Sequence, residues 1–163
     1  MAARTVPVVV ATYTPRAKAG GLGRSVAYYT WRDGEDRPRE RPRVWHAHGD
    51  RDLHYAAARA EIAAAAQAAP LTYRLVLSPG DTEGLPPEDY AAVLGRHFDR
   101  WYVVAHHYGG HPHAHALAPS PRRLDVRQLA DLRAALGERS RERELERGRE
   151  APPRAPAQER ELW

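Results

Sequence analysis

The segment "HHYGGHPHAHALA", residues 106–118, constrains the fold of this chain more than any other stretch. Two glycines, Gly109 and Gly110, separate two runs that are rich in residues favoured in strands. This pattern is typical of a β-hairpin with a tight turn, and it predicts strands over 101–108 and 113–118. Residues two apart in a strand project from the same face. The hairpin therefore determines which side chains of this segment point together.

Five of the nine histidines lie in this hairpin, within the ten consecutive positions 106–115. A two-residue turn pairs 108 with 111, 107 with 112 and 106 with 113, which places His106 opposite His113 and on the same face as His115. A four-residue loop would pair 106 with 115 and keep this face, whereas a three-residue loop would bring in His107 instead. We take His106, His113 and His115 as the set of three rings.

Three neutral imidazoles on one side of a hairpin would form a facial metal site with open coordination positions, as catalytic sites require. The sequence therefore predicts a divalent metal ion. Imidazole suits zinc, nickel, copper and manganese, so the ligand type does not identify the ion, and we take magnesium, manganese, zinc and nickel as the candidates. A second "HAH" run at 46–48 has no evident hairpin partner, so we predict a polar strand or loop there. His111 lies at the turn, where it would contact a phosphate group or solvent.

The remaining periodicity predicts a single domain over 1–149 and a Pro-rich, disordered tail over 150–163. Further strands are predicted at 4–13, 44–48 and 71–78. Helices are predicted at 25–34 with Ser25 as N-cap and Gly34 as its stop, at 52–69, at 87–100, and at 125–149 with Asp125 as N-cap and a solvated second half. This order predicts an α+β fold with a mainly antiparallel central sheet flanked by helices.

Composition limits the partners and the location of the protein. The net charge is +4 and Lys18 is the only lysine, so the cationic side chains are almost all arginine, whose planar fork suits phosphate groups. The absence of cysteine excludes disulfides and thiolate metal ligands. There is no run of 18 apolar residues and no convincing signal peptide, so we predict a cytoplasmic protein without a membrane span.

Three segments resemble motifs of the conjugative and mobilization relaxases, which belong to the HUH endonuclease superfamily. In "HHYGGHPHAH" the family's metal motif is matched by His106 and by Pro112, His113, Ala114 and His115. The segment "AYYTWRDG" resembles the family's early tyrosine helix. The segment "YRLVLSPGD" resembles its middle motif, with Ser78 near the DNA strand. The three motifs occur in the family's order and span residues 4 to 120 approximately.

The resemblance implies a metal-dependent endonuclease and strand transferase that acts on single-stranded DNA at a plasmid or mobile-element origin, together with relaxosome accessory proteins. It assigns the nucleophile to Tyr29, with Tyr28 as the second candidate, and the product to a 5′-phosphotyrosine link. It also implies that Ser78 contacts the DNA. From their positions in the sequence, Arg24 and Arg32 on the tyrosine helix and His111 at the turn are further candidates for phosphate contacts, and the alternative for each is a solvated surface side chain. We expect Arg32 to lie one helical turn beyond Tyr29 on the same face.

One departure and three alternatives accompany this interpretation. Many relaxases carry Asp two residues after the first histidine, where this chain has Tyr108. A rolling-circle replication initiator shares the chemistry, but its tyrosine helix usually follows the histidine motif. A DNA-binding accessory protein would keep the fold without the reaction. A metallohydrolase would cut with a metal-bound hydroxide and need no tyrosine.

Overall fold

The structure is a computed structural model that describes residues 6–32, 42–80, 83–108 and 111–150. In this part of the chain six strands form one sheet in the order β1-β4-β6-β5-β2-β3, and every neighbouring pair is antiparallel. The strands are β1 (Val8–Pro15), β2 (Trp45–Ala47), β3 (Arg51–Leu53), β4 (Leu71–Ser78), β5 (Tyr102–Tyr108) and β6 (His111–Ser120). The helices are α1 (Leu22–Trp31), α2 (Tyr55–Ala68), α3 (Pro87–Leu94) and α4 (Val126–Glu150). The predicted α+β fold with a central antiparallel sheet is confirmed.

Helices cover both faces of the sheet and bury two separate apolar clusters. On one face, α1 and α2 contribute Val26 and Ile62 to a cluster that includes Val104 of β5. On the other face, α3 and α4 pack on a cluster that includes Val103. Because successive residues of a strand point to opposite faces, β5 alternates between the two cores. The histidine face of the hairpin is therefore the face that α1 covers.

The β5–β6 hairpin has the register that a two-residue turn predicts. Tyr108 pairs with His111, His107 with Pro112 and His106 with His113. Residues 109 and 110 themselves lie outside the described residues. Strand β6 lies between β4 and β5 in the interior of the sheet, so its residues from 114 to 120 are buried. The sheet thus fixes the positions of the histidines from both sides.

The segment around 46–48 differs from the prediction because it does have a hairpin partner. Strand β2 pairs with β3, and His46 lies opposite Asp52. The turn between them uses left-handed backbone at Gly49 (φ +77°) and Asp50 (φ +54°), which glycine adopts freely and Asp tolerates. The predicted helix 52–69 consequently begins only at Tyr55, because its first residues belong to β3.

Two other helices have different ends from those predicted. Helix α1 begins at Leu22, so Ser25 lies inside it rather than capping it, and the hydroxyl of Ser25 accepts a hydrogen bond from Arg74 (2.9 Å). The predicted stop, Gly34, lies outside the described residues. Helix α3 ends at Leu94, and beyond it the N–H groups of Arg96 and His97 bond to the carbonyls of Val93 (3.3 Å) and Leu94 (3.2 Å), three residues back, in the tighter pattern of a turn. Both predictions erred in the boundaries and not in the existence of the helix.

Helix α4 begins as predicted, and from residue 141 onward it is largely exposed, as predicted for its second half, apart from the half-buried Arg143 and Arg147. Asp125 Oδ1 accepts a hydrogen bond from the N–H of Gln128 (2.8 Å), and Gln128 Oε1 accepts one from the N–H of Asp125 (2.9 Å), which is a reciprocal capping box. In its charged second half, Arg143 Nε donates to Asp89 Oδ2 (2.7 Å), and Asp89 is only 1% exposed. This arginine therefore anchors α4 to α3.

The structure describes only part of the predicted first strand and of the predicted tail. Residue 150, the first residue of the predicted tail, is the last residue of α4, and residues 151–163 lie outside the described residues. The first strand runs over Val8–Pro15 instead of 4–13, while residues 1–5 are not described. Among the described helices, none combines the length and apolar composition needed to cross a membrane.

Candidate metal centre

Three histidine rings converge where β5 meets β6. His106 and His113 are register partners, and their ring centroids lie 5.5 Å apart. The ring of His115 lies 4.8 Å from that of His106 and 5.0 Å from that of His113. One ring nitrogen of each residue lies within 4.8 Å of the corresponding nitrogens of the other two. The structure therefore brings together the three rings that the sequence predicts, in a geometry that suits one metal ion.

His115 is the clearest indication that this cluster needs a ligand. Its side chain is 8% exposed, and neither Nδ1 nor Nε2 has a hydrogen-bond partner among the described residues. A neutral imidazole carries one donor and one acceptor, and burying either without a partner costs about 1–3 kcal/mol. A metal ion bound by the lone-pair nitrogen would satisfy one of them. The buried, unpartnered ring therefore fits a metal ligand.

The environment of His115 disfavours its protonated form. Burial first, then the neighbouring rings of His106 and His113, and then the guanidinium groups of Arg32 and Arg43 together lower the pKa of His115 to about 3. At neutral pH the ring is therefore uncharged, which is the form that binds metals.

Backbone carbonyls fix the tautomers of the other two rings. Nε2 of His106 lies 2.8 Å from the carbonyl oxygen of Tyr29, and Nδ1 of His113 lies 3.0 Å from that of His111. A carbonyl oxygen only accepts, so each of these nitrogens donates its N–H, and the other nitrogen of a neutral ring carries the lone pair. Such contacts orient metal-binding histidines and make them more basic. A backbone carbonyl thus does for His106 what a carboxylate does in many metal sites.

Tyr29 of α1 lies directly against the cluster. Its ring is stacked on His115, with 4.0 Å between centroids and 12° between planes, and it meets the ring of His106 edge-on at 6.1 Å. Tyr28 is 56% exposed, and the guanidinium carbon of Arg32 lies 5.5 Å from its ring centroid. Consecutive helical residues diverge by about 100°, so only one of the two phenols can lie on the histidine face. That phenol belongs to Tyr29.

The last turn of α1 is held by residues that sequence patterns did not reveal. Arg43, which is 7% exposed, donates to the carbonyl oxygens of Arg32 and of Tyr29 (3.2 Å to the latter). The indole N–H of Trp45 donates to Thr30 Oγ1 (2.9 Å). The two bonds of Arg43 satisfy helix-end carbonyls, and together with the bond from Trp45 they fix the position of Tyr29. The segment that carries Arg43 is charged and broken by prolines, and no local periodicity marks the residue.

The residues expected to contact DNA lie at different places around this centre. Arg24 is exposed on α1, and His111 is exposed at the start of β6. Ser78 is half-buried at the end of β4. Val76 pairs with His115, and Ser78 lies two residues after Val76 in the same strand. Ser78 therefore lies on the same face of the sheet as the histidines. Arg32 directly follows the last residue of α1, so the helix does not extend to it as predicted. Its guanidinium lies 5.5 Å from the ring centroid of Tyr28, and its charge also lowers the pKa of His115, so Arg32 lies close to Tyr28 and near the histidine cluster.

The loop before α3 packs closely on the metal motif. Gly84 has φ +74°, and a Cβ atom built there would lie 2.8 Å from Cβ of Pro112. Pro112 is buried and immediately precedes His113. The absence of a side chain at Gly84 therefore allows this loop to approach the strand that carries two of the three histidines.

The cluster is formed by imidazoles alone, and acidic residues in the described ranges do not join it. A divalent ion bound by three neutral rings keeps its full charge, and Arg32 and Arg43 add positive potential near His115. Such a site attracts an anion, and it combines that attraction with a phenol next to the ligands. Comparisons of the chain with protein-family models, with curated proteins and with solved structures found no match.

Proposed function

We propose that this protein is a metal-dependent, relaxase-type endonuclease and strand transferase that acts on single-stranded DNA with Tyr29 as its nucleophile. The observation that supports this most directly is the stacking of the Tyr29 phenol on His115, whose ring nitrogens are buried and unpartnered. The proposal includes a cytoplasmic location, an origin of transfer on a plasmid or mobile element as the substrate, and relaxosome proteins as partners.

The chemistry follows from what a phenol needs in order to attack a phosphodiester. Its ordinary pKa is near 10, so the hydroxyl is a weak nucleophile at neutral pH. A divalent cation held by the three histidines would supply charge stabilisation to the non-bridging oxygens of the scissile phosphate. Tyr29 Oη then forms a bond to phosphorus as the bond to the 3′-oxygen breaks, and the phenolic proton passes to the solvent. The 3′-oxygen leaves and takes up a proton.

The product is a 5′-phosphotyrosine link and a free 3′-hydroxyl. Because one phosphoester replaces another, the free energy of the bond is kept, and the 3′-hydroxyl of the same or another strand can reverse the step. The residues around Tyr29 contribute to this reaction by fixing the position of the nucleophile. His106 and Arg43 both donate to the carbonyl oxygen of Tyr29, so the backbone of the nucleophile is tied to a metal ligand. In this proposal Arg24, Arg32, Ser78 and His111 contact the flanking strand.

The decisive experiment is a search for a covalent adduct. The protein is incubated with a random pool of single-stranded oligonucleotides and manganese, zinc, nickel or magnesium, and the products are separated on a denaturing gel. We expect a protein band that is shifted by bound DNA and is sensitive to nuclease. Tyr29→Phe should abolish the band while oligonucleotide binding persists, and Tyr28→Phe, the adjacent exposed phenol, should keep it.

Other outcomes distinguish the alternatives. Cleavage without an adduct that survives both substitutions would indicate a metal-bound hydroxide and would refute a tyrosine nucleophile. Binding of oligonucleotides with no cleavage in any metal would favour the accessory protein. An adduct that depends on Tyr28 and not on Tyr29 would move the nucleophile to the other phenol and remove the role assigned to the stacked ring.

A further inference from the structure

A cavity of about 500 Å³ opens at the end of the sheet opposite the histidines, where β6 ends and β4 and β5 begin. Its wall combines the end of α2, the segment between α3 and β5, and the segment between β6 and α4. The lining residues include Phe98, Arg100, Pro119, Ser120, Arg122 and Leu124. From His113 to Ser120 the strand advances by about 3.3 Å per residue, so the two sites are roughly 23 Å apart.

The cavity wall has an apolar part and a cationic part. Phe98 is buried against Tyr73, and Pro119 and Leu124 extend the apolar surface. Arg96 also lines the cavity, but its guanidinium makes two bonds to Asp131 (2.7 and 2.8 Å). The charge of this arginine is therefore already compensated within the protein.

Arg100 and Arg122 are the two cations that remain for a ligand. In the described part of the chain neither has a carboxylate within salt-bridge distance of its guanidinium. The hydroxyl of Ser120 donates to the carbonyl of Arg122 (2.6 Å), which holds the backbone of that loop in place. One carboxylate, Asp99, shares the lining, so cationic side chains outnumber it.

We propose that this cavity binds a nucleotide, with its phosphates at Arg100 and Arg122 and its base against the apolar wall. The volume lies in the usual range of about 300–1,000 Å³ for small-molecule sites. The guanidinium fork matches phosphate oxygens in pairs. A nucleotide joins an aromatic base to phosphate groups through a ribose, so it can use both the apolar and the cationic part of this wall. The site is distinct from the metal centre and does not depend on the function proposed for it.

The test is a titration with a fluorescent N-methylanthraniloyl derivative of ADP, carried out with EDTA and without DNA, so that the metal centre does not contribute. We expect saturable binding that unlabelled ADP displaces. The double substitution Arg100→Gln and Arg122→Gln should weaken binding by about tenfold for each lost charged contact, or about 100-fold in total. Arg133→Gln, an exposed arginine on α4 away from the cavity, is the matched control and should bind like the wild type.

Four results would overturn the assignment. The first is no binding at millimolar nucleotide. The second is equal binding by the double variant, provided that its melting temperature shows a folded protein. The third is equal affinity for ADP and inorganic phosphate, since the apolar wall would then contribute nothing. Displacement by an oligonucleotide but not by ADP would also contradict a nucleotide site and would indicate a path for a DNA strand.

Discussion

The ring of Tyr29 lies parallel to the ring of His115, with their centroids 4.0 Å apart. The two residues come from α1 and β6, and the contact places a phenol against the histidine ring whose two nitrogens are buried and have no hydrogen-bond partner among the described residues. His106 reinforces it, since its Nε2–H donates to the backbone of the same tyrosine. Displacement of either ring would therefore disturb both the metal ligands and the proposed nucleophile.

Binding of a divalent cation to His106, His113 and His115 should stabilise the folded protein. At a free concentration 100 times the dissociation constant, a ligand that binds only the folded state adds about 2.7 kcal/mol. In a protein of this size that corresponds to a rise of roughly 5–10 °C in the melting temperature. We expect this rise with zinc, nickel or manganese in differential scanning fluorimetry, and its reversal by EDTA.

Two substitutions in β6, His113→Ala and His111→Ala, form a matched pair that tests whether His113 binds the metal. The two positions lie two residues apart. Loss of His113 removes a ligand, so metal affinity measured by calorimetry should fall by more than the roughly 10- to 100-fold typical of outer-shell changes. Loss of His111, which is exposed and contributes only its backbone carbonyl, should leave the affinity intact. Unfolding of His113→Ala without metal would show that the ring is structural.

Arg43→Met should destabilise the protein although the residue lies in an irregular segment. The substitution keeps a long apolar side chain but leaves the carbonyls of Tyr29 and Arg32 without their charged donor. Hydrogen bonds of charged groups contribute about 1.5–3 kcal/mol, so we expect the free energy of unfolding, measured by urea denaturation, to fall by an amount in that range. Arg127→Met, on the exposed side of α4, should change the free energy of unfolding by less than about 0.5 kcal/mol.

The hairpin was predictable because its information is local. The glycine pair, the strand residues and the spacing of His106, His113 and His115 specify one register, and no distant contact is needed to read it. The capping box at Asp125 and Gln128 is local in the same sense. Such features follow from neighbouring residues, and the structure has them where the sequence places them.

Features that depend on distant packing were missed or misplaced. Strand β3 has only three residues, and its existence depends on the left-handed turn at Gly49 and Asp50 and on pairing with β2. The alanine content of α2 predicts a helix but not its first residue. Arg43 bonds to carbonyls that reach it only after α1 has docked, so no pattern around position 43 could indicate its role.

The pair formed by Glu61 and Arg51 should make stability depend on pH in the acid range. The guanidinium of Arg51 donates to both carboxylate oxygens (2.8 and 2.9 Å) and is the main reason that the pKa of Glu61 falls from 4.5 to about 2. A depressed pKa stabilises the fold above the unfolded-state value and stops doing so as pH falls through the folded-state value. The stabilisation should therefore be full above pH 5 and disappear between about pH 4.5 and 2.

Glu61→Gln checks this directly. The variant should be less stable than the wild type at neutral pH, and the gap between their urea midpoints should close as the pH falls toward 2. Glu138→Gln, at an exposed position of α4, serves as the control and should follow the wild-type pH profile. A gap for Glu61→Gln that stays constant down to pH 2 would contradict the lowered pKa.

Gly84→Ala should damage the metal centre from outside its ligands. The left-handed backbone there (φ +74°) costs a non-glycine residue about 1–2 kcal/mol, and the new Cβ would lie 2.8 Å from Pro112. Either the loop or Pro112 must move, and the latter would carry His113 with it. Gly49→Ala separates the two effects, because its φ is +77° but its nearest contact, Arg51 Nε, is at an ordinary 3.7 Å. Both variants should lose stability in urea denaturation, but only Gly84→Ala should also lose metal affinity in calorimetry. Equal metal affinity in the two variants would show that the loop does not support the histidine strand.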